Sequence, residues 1–277
     1  MPERMRQYAE VDVFAGSPLG GNPVAVVLDA EGLDEAAMQA FARWTNLSET
    51  TFVLPASDAR ADYALRIFTP AEELPFAGHP TLGSAAAWAD HVRHGADRLV
   101  QECGVGLVPL RRTGDRLGFA APPLRRSGPA SEEELTTAAH ALQLSPERLL
   151  AAQWVDNGPG WLAVRLADAA TVLAVRPDFD AMPFPLGIAG PHPSGGPADF
   201  EVRAFVPGLG VPEDPVTGSL NAGLAIWFLG EGIATAPYTV RQGTVVGASG
   251  LVTVEQDAEG IWISGDCTIR VRGEVLL

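Results

Sequence analysis

Lysine is missing from this sequence: all 19 of its basic residues are arginine. Without that amine the protein cannot form a lysine Schiff base, anchor pyridoxal phosphate covalently, or supply the lysine of a phosphate-binding P-loop. Cysteine is nearly as scarce. Cys103 and Cys267 stand far apart and form neither a CxxC motif nor a disulfide framework. No apolar run reaches the roughly 18–20 residues that span a bilayer. The segment Met1 to Tyr8 has no apolar stretch of signal-peptide type. No membrane partner is therefore expected, and a cytoplasmic location is. Positive charge is short as well: 34 acidic residues against 19 basic ones leave a net charge of −15. That balance argues against a nucleic-acid partner, whose phosphates are held by basic side chains. A small anionic ligand would need local donors such as helix N-termini. Of the five histidines (His79, His91, His94, His140 and His192), only His91 and His94 are close together, and no third ligand accompanies them. No metal site is expected.

What the chain does contain suits a folded core, with 47% apolar residues in 277. Val11 to Phe14, Val24 to Leu28, Thr50 to Leu54 and Tyr63 to Phe68 read as strands. Asp34 is placed to cap a helix through about Thr45 that buries Met38, Phe41 and Ala42. Ser131 and Glu134 have the spacing of a capping box. Two further segments are unusual. Helices beginning near Gly78-His79-Pro80 and after Asp214-Pro215-Val216-Thr217-Gly218-Ser219 are small and apolar nearly all round. A helix lacking a polar face is buried.

The same order recurs half a chain length apart. Phe68-Thr69-Pro70 answers to Phe205-Val206-Pro207, and Pro80 to Pro215, each ahead of a small-residue helix. This predicts an internal duplication: an α+β fold of two pseudo-symmetric halves, residues 1–125 and 126–277. Pro122 to Pro129 is the linker, and the last strand is free to return to the first half. If the two helix starts share a cleft, their N–H groups and dipoles can hold a substrate carboxylate near Gly78 and Gly218. His79, Asp214, Ser219 and Glu49 supply the side chains for such a cleft.

Four motifs occur in order: Gly21-Asn22-Pro23-Val24, Leu47-Ser48-Glu49-Thr50-Thr51, Phe76-Ala77-Gly78-His79-Pro80-Thr81 and Glu213-Asp214-Pro215-Val216-Thr217-Gly218-Ser219. Together they resemble the PhzF-like isomerase family of phenazine biosynthesis, from about Val11 to the C-terminus. The resemblance implies the diaminopimelate-epimerase-like fold, each half a curved, mainly antiparallel sheet wrapped around a central helix. It implies isomerisation by proton transfer without a cofactor, and a homodimer. Glu49 matches the family's general acid/base. Gly78 and His79 match its Gly-His pair, and Asp214 and Ser219 its Asp and Ser. Related epimerases of this fold use a cysteine near each central helix start; here both cysteines lie elsewhere. Family members commonly carry an arginine shortly after the Gln-Gly of Gln242-Gly243, where this chain reads Val246-Gly247-Ala248-Ser249. Two other readings stay open on the residues. One is a small-molecule-binding protein of this fold that turns nothing over. The other is a serine hydrolase, for which no G-x-S-x-G elbow is present.

Overall fold

The computed structural model describes residues 3–277 except 94, 115 and 208–211. His94, one of the two neighbouring histidines, thus lies outside the described residues. The chain divides into two compact units, Met1–Ala120 with Ser264–Leu277, and Ala121–Ile263.

The strands of the first unit are β1 (Met5–Val13), β2 (Asn22–Val27), β3 (Glu49–Leu54), β4 (Tyr63–Phe68), β5 (Glu73–Leu74), β6 (Arg98–Cys103), β7 (Gly106–Thr113) and β8 (Arg116–Ala120). Its helices are α1 (Glu35–Thr45) and α2 (Gly78–His91). The second unit has β9 (Arg126–Pro129), β10 (Ala151–Asp156), β11 (Leu162–Arg165), β12 (Leu186–Pro191), β13 (Phe200–Phe205), β14 (Glu213–Asp214), β15 (Tyr238–Gln242) and β16 (Gly250–Asp257). With them come helices α3 (Glu132–Ala141), α4 (Ala169–Ala174) and α5 (Gly218–Gly230), and the last strand is β17 (Gly260–Leu276).

In the first unit β17 pairs with both β8 and β1. The ladder runs on through β2, β3, β4, β6 and β7 back to β8, so the sheet closes on itself. Closure removes free sheet edges and leaves an interior to be filled. The filler is α2, which packs against β1, β2, β3, β4, β6 and β8. Eleven of its residues are buried, among them Gly78 to Ala87 without a break. Gly83 permits the fit, because a Cβ there would stand 2.3 Å from Val24 Cγ1. Outside the ring, α1 lays Met38, Phe41 and Ala42 on Val27, Phe52 and Phe68. This is the stripe its 3.6-residue period demands, and Asp34 caps it as expected.

The second unit runs β9, β10, β11, β12, β13, β15, β16, with β11–β12 and β13–β15 parallel and the other pairs antiparallel. Helix α5 packs against β10, and Gly223 brings the two close: a Cβ would lie 2.4 Å from the Val155 carbonyl oxygen. On the other face, α3 and α4 join a cluster around Trp154, Leu162, Leu186 and Phe205. The capping box of Ser131 and Glu134 is formed.

Residues 264–277 belong with the first unit, the return left open for the last strand, because Met5 to Val13 pair with Leu276 to Cys267. Two details differ from the sequence reading. The linker is not all coil: Arg126 to Pro129 pair with Asp156 to Gln153, since proline is tolerated at the end of an edge strand. Pro80 and Pro215 are not equivalent. Pro80 is the third residue of α2, whereas Pro215 precedes α5 by three. The matching positions are the helix starts themselves, Gly78 and Gly218.

Candidate active site

Glu49 opens β3, directly after the turn that ends α1. Its parallel pairing with Val24 sets it beside β2. His79, second residue of α2, is 3% exposed. Its Nε2 stands 3.1 Å from Glu49 Oε2, off the line of a hydrogen bond. Catalytic contacts often align only when substrate is bound. On the other edge of the ring, Nδ1 lies 3.2 Å from Asn22 Nδ2. Burial pushes the imidazole down to about 3, outweighing a contact with the Pro23 carbonyl that acts the other way. Buried His79 is therefore held in its neutral form.

Asn22 is itself placed by the turn before it. Asp12, at the end of β1, accepts from the backbone N–H groups of Leu19 and Gly21, each at 2.8 Å, and meets Arg270 at 3.2 Å. That buried carboxylate folds Gly16 to Gly21 into a tight loop.

In the second unit, Asp214 is the last residue of β14 and pairs with Ala204. Its Oδ2 accepts from the Thr217 hydroxyl at 2.5 Å. Ser219, second residue of α5, is 6% exposed. Its hydroxyl accepts from the Trp161 indole at 3.0 Å, and its carbonyl from the Asn157 amide at 2.8 Å. Used so, the hydroxyl keeps its proton for donation.

The helix termini divide into two kinds. Side chains cap α1 (Asp34), α3 (Ser131) and α4 (Asp168). The buried helices α2 and α5 begin after Ala77 and Thr217 with no side-chain cap bond. N–H groups without a side-chain cap, at a positive dipole end, are suited to a carboxylate.

The candidates thus fall into two groups: Glu49, Gly78 and His79 in the first unit, Asp214, Gly218 and Ser219 in the second. Asn22, Trp161, Thr217 and Gln242 escaped the sequence reading as participants. Asn22 and Thr217 lie inside motifs that were noticed, but Trp161 and Gln242 reach their partners across long stretches of sequence.

The thiols are poor nucleophiles. Burial pushes Cys267 up to about 12 and raises Cys103, against the lowered values of reactive thiols. Among the described residues, no three His, Cys, Asp or Glu side chains converge as metal ligands. No helix among them is long and apolar enough to cross a membrane.

The sequence model of the family described as "Phenazine biosynthesis-like protein" matches residues 11–274. The chain belongs to this PhzF-like family of isomerases. It is 33% identical over 285 residues to the trans-2,3-dihydro-3-hydroxyanthranilate isomerase of Pseudomonas fluorescens, covering 99% of this chain and 100% of the relative. It is also 33% identical over 298 residues to "Antisense-enhancing sequence 1" of Schizosaccharomyces pombe, covering 96% and 97%. Among solved structures, a PhzF-family protein of Enterococcus faecalis superposes with TM-score 0.81 at 28% identity, over 99% of this chain and 100% of that one. A hydroxyproline epimerase of Agrobacterium vitis has TM-score 0.59 at 14% identity, covering 99% and 93%. That second likeness concerns the fold alone.

Proposed function

We propose that this PhzF-like protein is a cofactor-independent isomerase that moves a proton on a small carboxylate-bearing metabolite, with Glu49 as general acid/base. The observation that carries the reading is the Glu49 carboxylate set 3.1 Å from Nε2 of a buried, neutral His79. Glu49 would take a proton from a substrate carbon and return one at another position. His79 would orient that carboxylate or the substrate, and Asp214 would act as a second proton-handling group. The uncapped helix start at Gly78 would hold the substrate's carboxylate, and Gly218 and Ser219 offer donors of the same kind in the second unit. Their donors offset the repulsion that a net charge of −15 exerts on an anion.

No lysine exists to carry pyridoxal phosphate, and a mechanism through two thiols is disfavoured because both are pushed away from ionisation. The reading extends to two pseudo-symmetric, diaminopimelate-epimerase-like halves of common origin, a cytoplasmic homodimer in assembly, and no nucleic-acid or membrane partner. Light scattering of the purified protein tests the dimer.

Trans-2,3-dihydro-3-hydroxyanthranilate, named for the Pseudomonas relatives, is the first substrate to try. Glu49→Gln keeps the shape and removes the proton-accepting group. Turnover is expected to fall by roughly 10²–10⁴-fold, with binding changed far less. Undiminished turnover would overturn the assignment. Tight binding without turnover by the wild-type protein would favour a silent binding protein.

A further inference from the structure

One side chain holds the turn in front of α5. Gln242 ends β15 and is wholly buried. Its carbonyl oxygen accepts from the Thr217 N–H at 3.1 Å and the Asn221 amide at 2.9 Å. Its amide nitrogen donates to the Asp214 carbonyl at 3.1 Å and to the Thr217 hydroxyl at 2.8 Å. A backbone N–H can only donate, so the carbonyl end must face Thr217 N, and the amide cannot be turned round. The consequence is directional. Thr217 Oγ1 accepts from Gln242, and its single proton is left for Asp214 Oδ2, 2.5 Å away.

We propose that Gln242 is a positioning residue that fixes the direction of the Gln242–Thr217–Asp214 chain and so holds Asp214 as an ionised acceptor at Oδ2. The proposal deepens the functional reading and rests on Asp214 belonging to the site. A hydrogen bond donated to a carboxylate favours its charged form. The chain would therefore keep Asp214 ready to receive a proton and make it reluctant to keep one. Glu213 and Arg203 are paired with each other at 2.8 Å, and none of the substitutions below touches them. In the first unit, Gln101 likewise donates to Thr81 at 3.0 Å, and its carbonyl accepts from Tyr63 at 3.1 Å. Among the described residues no carboxylate ends that chain, so the buried glutamine is shared by the two frames and the proton directed to a carboxylate is found in the second unit.

The test is a carbon-13 NMR titration of the Asp214 side chain in the substrate-free protein. Thr217→Val should raise its midpoint by about one pH unit, and Thr217→Ser should restore it. Gln242→Met, neutral and similar in size, should raise it comparably, and should add nothing in the Thr217→Val background. A folded Gln242→Met protein with an unchanged midpoint would overturn the proposal. So would a shift equally large without the Thr217 hydroxyl, which is the result expected of a merely loosened loop. Should Gln242→Met fail to fold, an unchanged midpoint in Thr217→Val would overturn it alone. Turnover by Asp214→Asn is measured separately. If it persists, the functional role of Asp214 falls while the titration result stands.

Discussion

The starts of α2 and α5 are built on the same frame and carry different chemistry. Each helix begins with an uncapped glycine, Gly78 or Gly218, and each presents a buried polar residue next, His79 or Ser219. A side chain distant in sequence reaches that residue: Asn22 in one case, Trp161 in the other. A glutamine on a later strand braces the fourth residue, Gln101 to Thr81 and Asn221 to Gln242. Below each start, an arginine grips a glutamate with both nitrogens while lying on a phenylalanine. Arg66 holds Glu73 over Phe68, and Arg203 holds Glu213 over Phe205. The difference lies in the ionisable groups. The parallel strand of the first unit opens with Glu49, and its counterpart opens with Leu186 and Gly187. Leu220 fills the space at Gly187, where a Cβ would meet it at 2.4 Å. One unit thus offers a carboxylate–imidazole pair, and the other an aspartate at the end of a hydroxyl chain. The frame at the two helix starts is alike, and the ionisable groups set on it differ.

Breaking the paired arginines should expose the largest contrast. The Arg203–Glu213 side chains are 2% and 7% exposed, against 29% and 34% for Arg66–Glu73. Arg203 also donates to the carbonyls of Val172 and Val175. Arg203→Ala leaves a buried carboxylate and two carbonyls without their donor, and should cost about 3–5 kcal/mol. Arg66→Ala should cost no more than about 1 kcal/mol. Urea unfolding of the two variants checks the ranking, and equal losses would break the comparison.

Adding a methyl group to the central helices comes next. Gly223→Ala would drive a Cβ to 2.4 Å from a backbone oxygen, and Gly83→Ala to 2.3 Å from a valine methyl. Backbone yields less than a side chain, so Gly223→Ala should be the worse of the two, at about 3 kcal/mol. The same unfolding measurement decides it, and a stabilised Gly223→Ala would show that α5 does not sit so close to β10.

The smallest effect expected is a pH dependence that belongs to the first unit alone. His79 is held at about 3 in the folded protein, below its ordinary 6.5. As pH falls below 6.5 the unfolded chain takes up a proton that the folded one refuses. Its contribution is therefore intact above about 6.5 and is lost progressively toward 3. Between pH 7 and pH 5 the loss should be about 2 kcal/mol. The stability profile of His79→Asn should lack that component, and parallel profiles for the two proteins would show that burial does not hold the ring neutral.

Much of this frame could be read from residues close together in sequence. Asp34 with the Met38, Phe41 and Ala42 stripe, and Ser131 with Glu134, are local signals for α1 and α3, and both helices formed as expected. The burial of α2 and α5 followed from their lack of a polar face. Glu49 and His79 stood out through short motifs, and the structure brings them together. What escaped reading depends on distance. Arg203 and Glu213 meet through a strand pairing, Gln242 reaches back to Thr217, and Trp161 finds Ser219, none of which has a local period. The proline match misled because proline is tolerated both inside a first helical turn and in the loop before one. The brief α4 carried only six residues of pattern, too few to separate from the loops around it.

The central claim, that Glu49 moves a proton on carbon, is tested most directly by running the reaction in deuterated water. The proposed substrate should return from the wild-type protein carrying deuterium at the carbons that lose and regain hydrogen. With Glu49→Gln the label should enter roughly 10²–10⁴-fold more slowly. Label entering at the wild-type rate in Glu49→Gln would contradict the account and leave His79 or Asp214 as the base.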